Sequence, residues 1–190
     1  MASNNDKKKN TLFEIVNEND EVIGLEEIEK ISKERSIIRT AVIWFFTRRG
    51  EIIFQRRAKD SVVLAGLLDS TVGGKVEPGA SYEDTAIIEA MEETGLVIEK
   101  EKLIPLKKMR RNLKDDPADL VINNFSMQYA YHYPGEIVDL QIEEGKAEGF
   151  EAWHIDKILS LSDEEKKLFV RDFVTSPELL DIFRQIKKLI

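Results

Sequence analysis

One stretch, Gly73 to Leu96, narrows what this chain can fold into more than any other. It holds two adjacent glycines, then Pro78-Gly79, then a helix-length run with its own start and stop signals. Ser81 is a good N-cap, and Asp84, three residues on, makes a variant of the capping box. Gly95 supplies the C-terminal stop. Helical spacing puts Ala86, Ile87, Ala90 and Met91 on one face, the expected buried one. It puts Glu89, Glu92 and Glu93 on another. Glu89 is three residues from Glu92 and four from Glu93, so the three carboxylates are expected to converge on one point.

Converging carboxylates repel one another unless positive charge sits among them. A hard divalent cation, Mg²⁺ or Mn²⁺, takes oxygen ligands of this kind and shares them with phosphates. Three Glu taken alone also fit an acidic, solvated helix face. The glycines favour a site, because Gly73-Gly74 and Pro78-Gly79 let backbone approach the carboxylates as a charged ligand requires.

The stretch resembles the box of the Nudix hydrolase superfamily, with Gly74, Glu89, Glu92, Glu93, Gly95 and Leu96 in register and Ala90 at an aliphatic position. Two positions depart: Ala80 stands where the pattern has Glu, and Ile88 where it has Arg. Loss of both opposite charges together strands no unpaired partner, which reads as a rebuilt junction with a less firmly oriented Glu89. Phe13 to Gly24, Gln55-Arg56-Arg57 and Ala65 to Gly74 resemble the isopentenyl-diphosphate-isomerase-like branch, without its usual Pro and Trp near Ala65 and Leu68. The resemblance implies a Nudix-type α/β/α sandwich around a mixed β-sheet. It also implies a Mg²⁺- or Mn²⁺-dependent hydrolase, with Gly74, Glu89, Glu92 and Glu93 as metal ligands. Glu89 and Glu93 are the main ligands, and Glu92 is either a further ligand or the acceptor of the water's proton. A further acid from a later loop is expected at Glu148, then Glu144, with Glu143 a third candidate.

Composition bounds the partners. The chain has 190 residues, is 42% hydrophobic and carries a formal charge of −8. That length suits one domain with additions, and the acidic balance argues against nonspecific nucleic-acid binding. No run is long and apolar enough for a membrane span, and the polar N-terminus does not read as a signal peptide, so a cytoplasmic setting is expected. Zero Cys and two His exclude disulfides, a thiol nucleophile and a His-rich metal centre.

Along the chain, residues 1–10 read as a disordered tail and 11–160 as the Nudix domain with an N-terminal hairpin. Leu12–Val16 and Glu21–Leu25 are expected strands joined at Asn17–Asp20, and 26–35 an expected helix. Ile37–Thr47 reads as a central strand in a hairpin with Glu51–Arg57. Leu103–Leu113, Leu120–Tyr133 and Phe150–His154 read as further strands, with a loop from Lys114 to Pro117. Residues 161–190 form a helical extension, capped at Ser162 and Ser176, that packs on the domain or meets a second copy in a homodimer.

These residues support splitting a small-molecule substrate in which a nucleoside diphosphate is linked to another moiety, by water attack on phosphorus. Arg56, Arg57, Gly73 and Gly74 are the expected substrate contacts, one of the two arginines facing the cleft and the other solvent. A nucleotide-binding or sensor module with weakened turnover is the rival from another class, supported by Ala80 and Ile88. Isopentenyl diphosphate isomerase chemistry is excluded by the resemblance's own terms, since that family uses a catalytic Cys.

Overall fold

The computed structural model describes residues 11–61, 63–115 and 120–190; the expected tail and the Asp116-Pro117 part of the expected loop lie outside them. Strands β1 (Leu12–Val16) and β2 (Val22–Glu27) form an antiparallel hairpin, followed by helix α1 (Ile28–Glu34). The β-branched and aromatic run becomes β3 (Ile38–Phe46), and Arg48 to Gly50 turns it into β4 (Glu51–Arg57). Then follow β5 (Leu68–Asp69), β6 (Val72–Lys75), helix α2 (Tyr82–Thr94), β7 (Ile104–Asp115), β8 (Leu120–His132) and β9 (Ala147–His154). Four helices close the chain: α3 (Ile155–Ile158), α4 (Asp163–Lys166), α5 (Arg171–Thr175) and α6 (Pro177–Lys187).

The main sheet is mixed. Strand β3 runs parallel to β8 from Ile38 to Phe46, whereas its other partners, β4 and β6, are antiparallel to it. Both faces of β3 are apolar, so both must be covered. Ala41, Ile43 and Phe45 meet Ala86 and Ala90 of α2 on one side. Val42, Trp44 and Phe46 meet Ile155, Phe173, Leu179 and Phe183 of the later helices on the other. The result is the expected α/β/α sandwich. Trp44 sits edge-on to Phe173 and Phe183, with centroids 5.1 and 4.9 Å away, and its indole N–H donates to Gln128 at 2.9 Å. Helices from the extension thus complete one layer of the same core.

Strands β3 and β4 are paired only next to their turn, at Phe45 with Ile53 and Phe46 with Ile52. Beyond it β3 takes β6 as partner and β4 takes β5, while β9 pairs with β4 along its whole length on the other edge. Thr71 sits fully buried where they part. Its hydroxyl accepts from the Phe45 amide at 3.0 Å and donates to the Ile53 carbonyl, standing in for the ladder bonds that end there. The divergence opens a gap that the active-site candidates line.

The β1–β2 hairpin is tied down through Asp20, whose carboxylate accepts from Arg39 Nε at 2.7 Å, Lys108 Nζ at 2.6 Å and the Tyr82 hydroxyl at 3.0 Å. Burial raises the Asp20 pKa, but these three donors outweigh it and hold the carboxyl below its ordinary value. The Tyr82 hydroxyl is pushed up, by burial first and then by Asp20.

Thr71→Val leaves one buried donor and one buried acceptor unpaired, and is expected to cost roughly 2–4 kcal/mol. Thr71→Ser, which keeps the hydroxyl, is expected to recover most of that in urea denaturation. For Asp20, a depressed folded-state pKa means stability present above the unfolded pKa and lost as pH falls through the folded one. Asp20→Asn is therefore expected to lower the thermal midpoint at pH 7, with the gap to wild type closing at strongly acidic pH.

Candidate active site

Helix α2 carries the carboxylates and is anchored at both ends as its sequence demands. Ser81 Oγ accepts from the Asp84 amide at 3.0 Å, and Gly95 adopts φ 73°, a left-handed cap. Ala86 and Ala90 are buried against the sheet as expected. Met91 is not: it is 59% exposed, because the helix is rolled so that Glu93 and Thr94, rather than Met91, face inward. Ile88 is also exposed, so its side chain leaves no buried charge without a partner.

The three carboxylates have different fates. Glu93 is 1% exposed and its carboxylate accepts from Lys146 Nζ at 2.5 Å, Gln55 Nε2 at 3.1 Å and the Gly73 amide at 3.4 Å. Glu89 is half-buried and lies 3.6 Å from the same Lys146 nitrogen. Glu92 remains exposed at the rim. Among the described residues, no three acidic, His or Cys side chains gather around one metal-sized point. The expected single convergence is thus replaced by a pair, Glu89 and Glu93, closed on an ammonium.

The Glu93 carboxyl is pushed up to about 8, by burial first, with Lys146 opposing and neighbouring Glu89 adding to the rise. Glu89 is also raised, by burial first, with Lys146 opposing and Glu92 adding to the rise. Burial alone would lower the Lys146 pKa, but Glu93, Glu89 and Glu143 raise it, so the lysine stays charged. One buried and one half-buried carboxylate with one ammonium leave a shortage of positive charge.

The backbone completes the site. A Cβ placed on Gly74 would fall 1.7 Å from Glu89 Oε1, so the Glu89 carboxylate occupies space that only glycine leaves. Oxygen-only donors, a glycine cradle and an ammonium standing among the carboxylates together fit a hard divalent cation.

The later loop delivers its residues differently from expectation. Glu143 lies 3.3 Å from Lys146 Nζ and so joins the cluster. Glu148 instead pairs with Lys59, accepting from its amide at 3.2 Å with its other oxygen 3.4 Å from Lys59 Nζ; Glu144 is exposed. Strand alternation on β4 separates the arginines, but both are part-buried and ion-paired, so neither faces open solvent. Arg57 donates to Asp69 at 2.9 Å and lines a cavity of about 330 Å³, together with Gly73, Gly74, Gln55, Glu93 and Lys146. Arg56 turns to Glu151 and the Gly66 carbonyl, both at 2.6 Å. Lys146 and Gln55 were missed by sequence reasoning. The one signal for Lys146 was a lone lysine inside the acidic run from Glu143 to Glu148.

The NUDIX domain family model matches residues 37–173, and the chain belongs to that family. It is 36% identical over 83 residues to the uncharacterized Nudix hydrolase YfcD of Salmonella typhi, covering 44% of this chain and 45% of that one. The chain thus matches about half the length of such curated relatives. Its fold is similar to that of DR0079 from Deinococcus radiodurans, with TM-score 0.68, 20% identity and coverage of 92% and 98% of the two chains. It is also similar to the NUDIX domain of Shewanella oneidensis NrtR, solved in complex with ADP ribose, with TM-score 0.56, 16% identity and coverage of 81% and 89%.

Gly74→Ala is expected to fold, because the group it displaces is the free end of a flexible side chain. Its thermal midpoint should stay near wild type. Mn²⁺ affinity, read by electron paramagnetic resonance, is expected to fall about 10- to 100-fold as Glu89 is pushed from the site.

Proposed function

We propose that this chain is a metal-dependent hydrolase that cleaves a diphosphate linkage in a nucleoside diphosphate joined to another moiety. The observation that carries the reading is Glu93, buried with Glu89 beside the Gly74 backbone on the wall of a cavity large enough for a small molecule. Relatives named as Nudix hydrolases support it.

Glu93 and Glu89 would hold Mg²⁺ or Mn²⁺, with the Gly74 backbone closing the cradle. When bound, such an ion neutralises diphosphate oxygens and lowers the pKa of a water. Gln55 and the Gly73 amide fix the Glu93 carboxylate from two sides, which keeps the ligand oriented. Glu92, exposed and next to the pair, takes the proton of the attacking water at its carboxylate. Lys146 would offer its ammonium to a phosphate oxygen, and Arg57 and Gly73 sit on the same cavity wall. Arg56 acts from behind, bracing the Gly66 turn. Glu143 is the loop acid of the site.

The chain falls in the isopentenyl-diphosphate-isomerase-like branch in this reading, with hydrolysis in place of isomerisation because no Cys is available. The branch-like N-terminal segment supports this: it forms the β1–β2 hairpin, and Glu14 accepts from the Gly79 amide at 3.1 Å in the loop before α2. Residues 11–160 are proposed as the domain, with 161–190 as the extension that supplies one helical layer. The acidic balance supports a cytoplasmic setting, and no helix among the described residues is long and apolar enough to cross a membrane.

A second reading draws on one observation. Lys146 already supplies a cation to Glu89 and Glu93, which suits a nucleotide-binding module without turnover. A hydrolysis panel of ADP-ribose, nucleoside triphosphates, dinucleoside polyphosphates and sugar nucleotides with Mg²⁺ or Mn²⁺ separates the two. Product formation, reduced by orders of magnitude in Glu93→Gln, is expected. Equal rates in wild type and Glu93→Gln would sink the hydrolase reading, and saturable metal-dependent binding without product would favour the module.

A further inference from the structure

The cavity that Glu93 and Lys146 line has a second polar wall, made by β7 and β8. Arg111 and Asn124 are directly opposite each other in the antiparallel register of those strands, so their side chains share one face of the sheet. Both line the cavity. Both are more than nine-tenths buried, at 9% and 8% exposed. Arg111 Nε and Asn124 Oδ1 are each buried without a hydrogen-bond partner. Unpaired buried polar atoms cost about 1–3 kcal/mol each, so two side by side in a cavity call for an explanation.

The chemistry of the pair defines what would satisfy it. Arg111 directs Nη2 to Asp172 at 2.5 Å, so its charge is already matched, and its Nε–H is a donor left without a partner. Asn124 offers one carbonyl acceptor. A phosphate would meet the Arg111 donor but also the Asn124 oxygen and the nearby Asp172 carboxylate, and is disfavoured. A neutral group with an acceptor and a donor side by side satisfies both. Val42, Leu64, Val170 and Phe173 line the same cavity with apolar surface, as the face of a planar ring requires.

We propose that Arg111 and Asn124 form a recognition subsite for the donor–acceptor edge of a nucleobase, in a substrate whose diphosphate lies toward Glu89 and Glu93. This rests on the diphosphate reading for the position of the rest of the substrate. The specificity wall is therefore built from the β7–β8 pair and braced by α5, which contributes Asp172 and Phe173.

The test is isothermal titration with Mg²⁺ present, using ADP, GDP, CDP, UDP, ribose 5-phosphate, inorganic diphosphate and the four free nucleosides. The proteins are wild type, Asn124→Ala and Arg111→Lys; the lysine keeps a charge for Asp172 but lacks the Nε donor. The expected result is that at least one nucleoside diphosphate loses about tenfold in affinity in each variant while inorganic diphosphate and ribose 5-phosphate bind as before. Unchanged affinity for every nucleoside diphosphate in both variants overturns the subsite. An equal loss for ribose 5-phosphate overturns it too, by assigning the contact to the sugar. Wild type that binds nucleosides with the same sensitivity to Asn124→Ala, but no diphosphate, keeps the subsite and removes the diphosphate reading. Wild type that binds none of the probes overturns both.

Discussion

Two neighbouring strands that stop pairing after two residue pairs are the constraint on which the rest of this molecule depends. A hairpin such as β3–β4 would ordinarily continue its ladder, and the cost of ending it early is a set of buried backbone groups without partners. Thr71 meets that cost with one side-chain hydroxyl, which accepts from one strand and donates to the other. Farther along, β6 and β5 supply the replacement ladders. What remains between the diverging strands is a gap with backbone on its edges and side chains of β3, β4 and β6 on its walls. Gln55, Gly73 and Gly74 reach the site only because the ladder ends where it does.

Into that gap the fold places an electrostatic imbalance. Glu93 is almost completely desolvated, and isolated burial of a carboxylate is prohibitive unless it is paired or protonated. Gln55, the Gly73 amide and Lys146 provide pairing, yet Glu89 competes for the same ammonium. One positive charge serving a buried and a half-buried carboxylate contributes little to stability, since desolvation consumes most of the Coulombic gain. Its value lies in keeping both oxygens aimed at one region. The arrangement keeps the two carboxylates together and would gain from a second positive charge.

The parts legible in the sequence were those set by local rules. Caps at Ser81 and Gly95, the turn at Arg48 to Gly50 and the central strand follow from short-range preferences, and each formed within a residue or two of expectation. The family resemblance rested on the same kind of local register and held at the level of the superfamily. Met91 failed because the apolar spacing of α2 is too sparse to fix the roll of the helix. The buried carboxylate of Glu93, satisfied by polar partners, took the place that hydrophobicity assigned to Met91. Lys146 and Gln55 lie on other elements, and nothing local distinguishes a lysine that reaches a buried acid from one in solvent. The same blindness placed Glu148 at the site and left Glu143 third, although their neighbours in the chain are nearly alike.

The later helices show how a segment without a chemical motif acquires a place in the site. Helices α5 and α6 pack Phe173, Leu179 and Phe183 against Trp44 and Phe54, and that burial fixes α5 beside β7. Once there, Asp172 lies within 2.5 Å of Arg111, and Phe173 lies under the guanidinium at 5.8 Å from ring centroid to carbon. The aspartate neutralises a cation that would otherwise make this wall attractive to any phosphate. Under the proposed diphosphate reading, a cavity with carboxylates on one wall and a charge-balanced Arg–Asn pair on another would sort a substrate by polarity: its anionic part toward a cation held by the acids, its neutral hydrogen-bonding part toward β7 and β8. The hydrophobic core and the polarity of the cavity are in this sense set by the same helix.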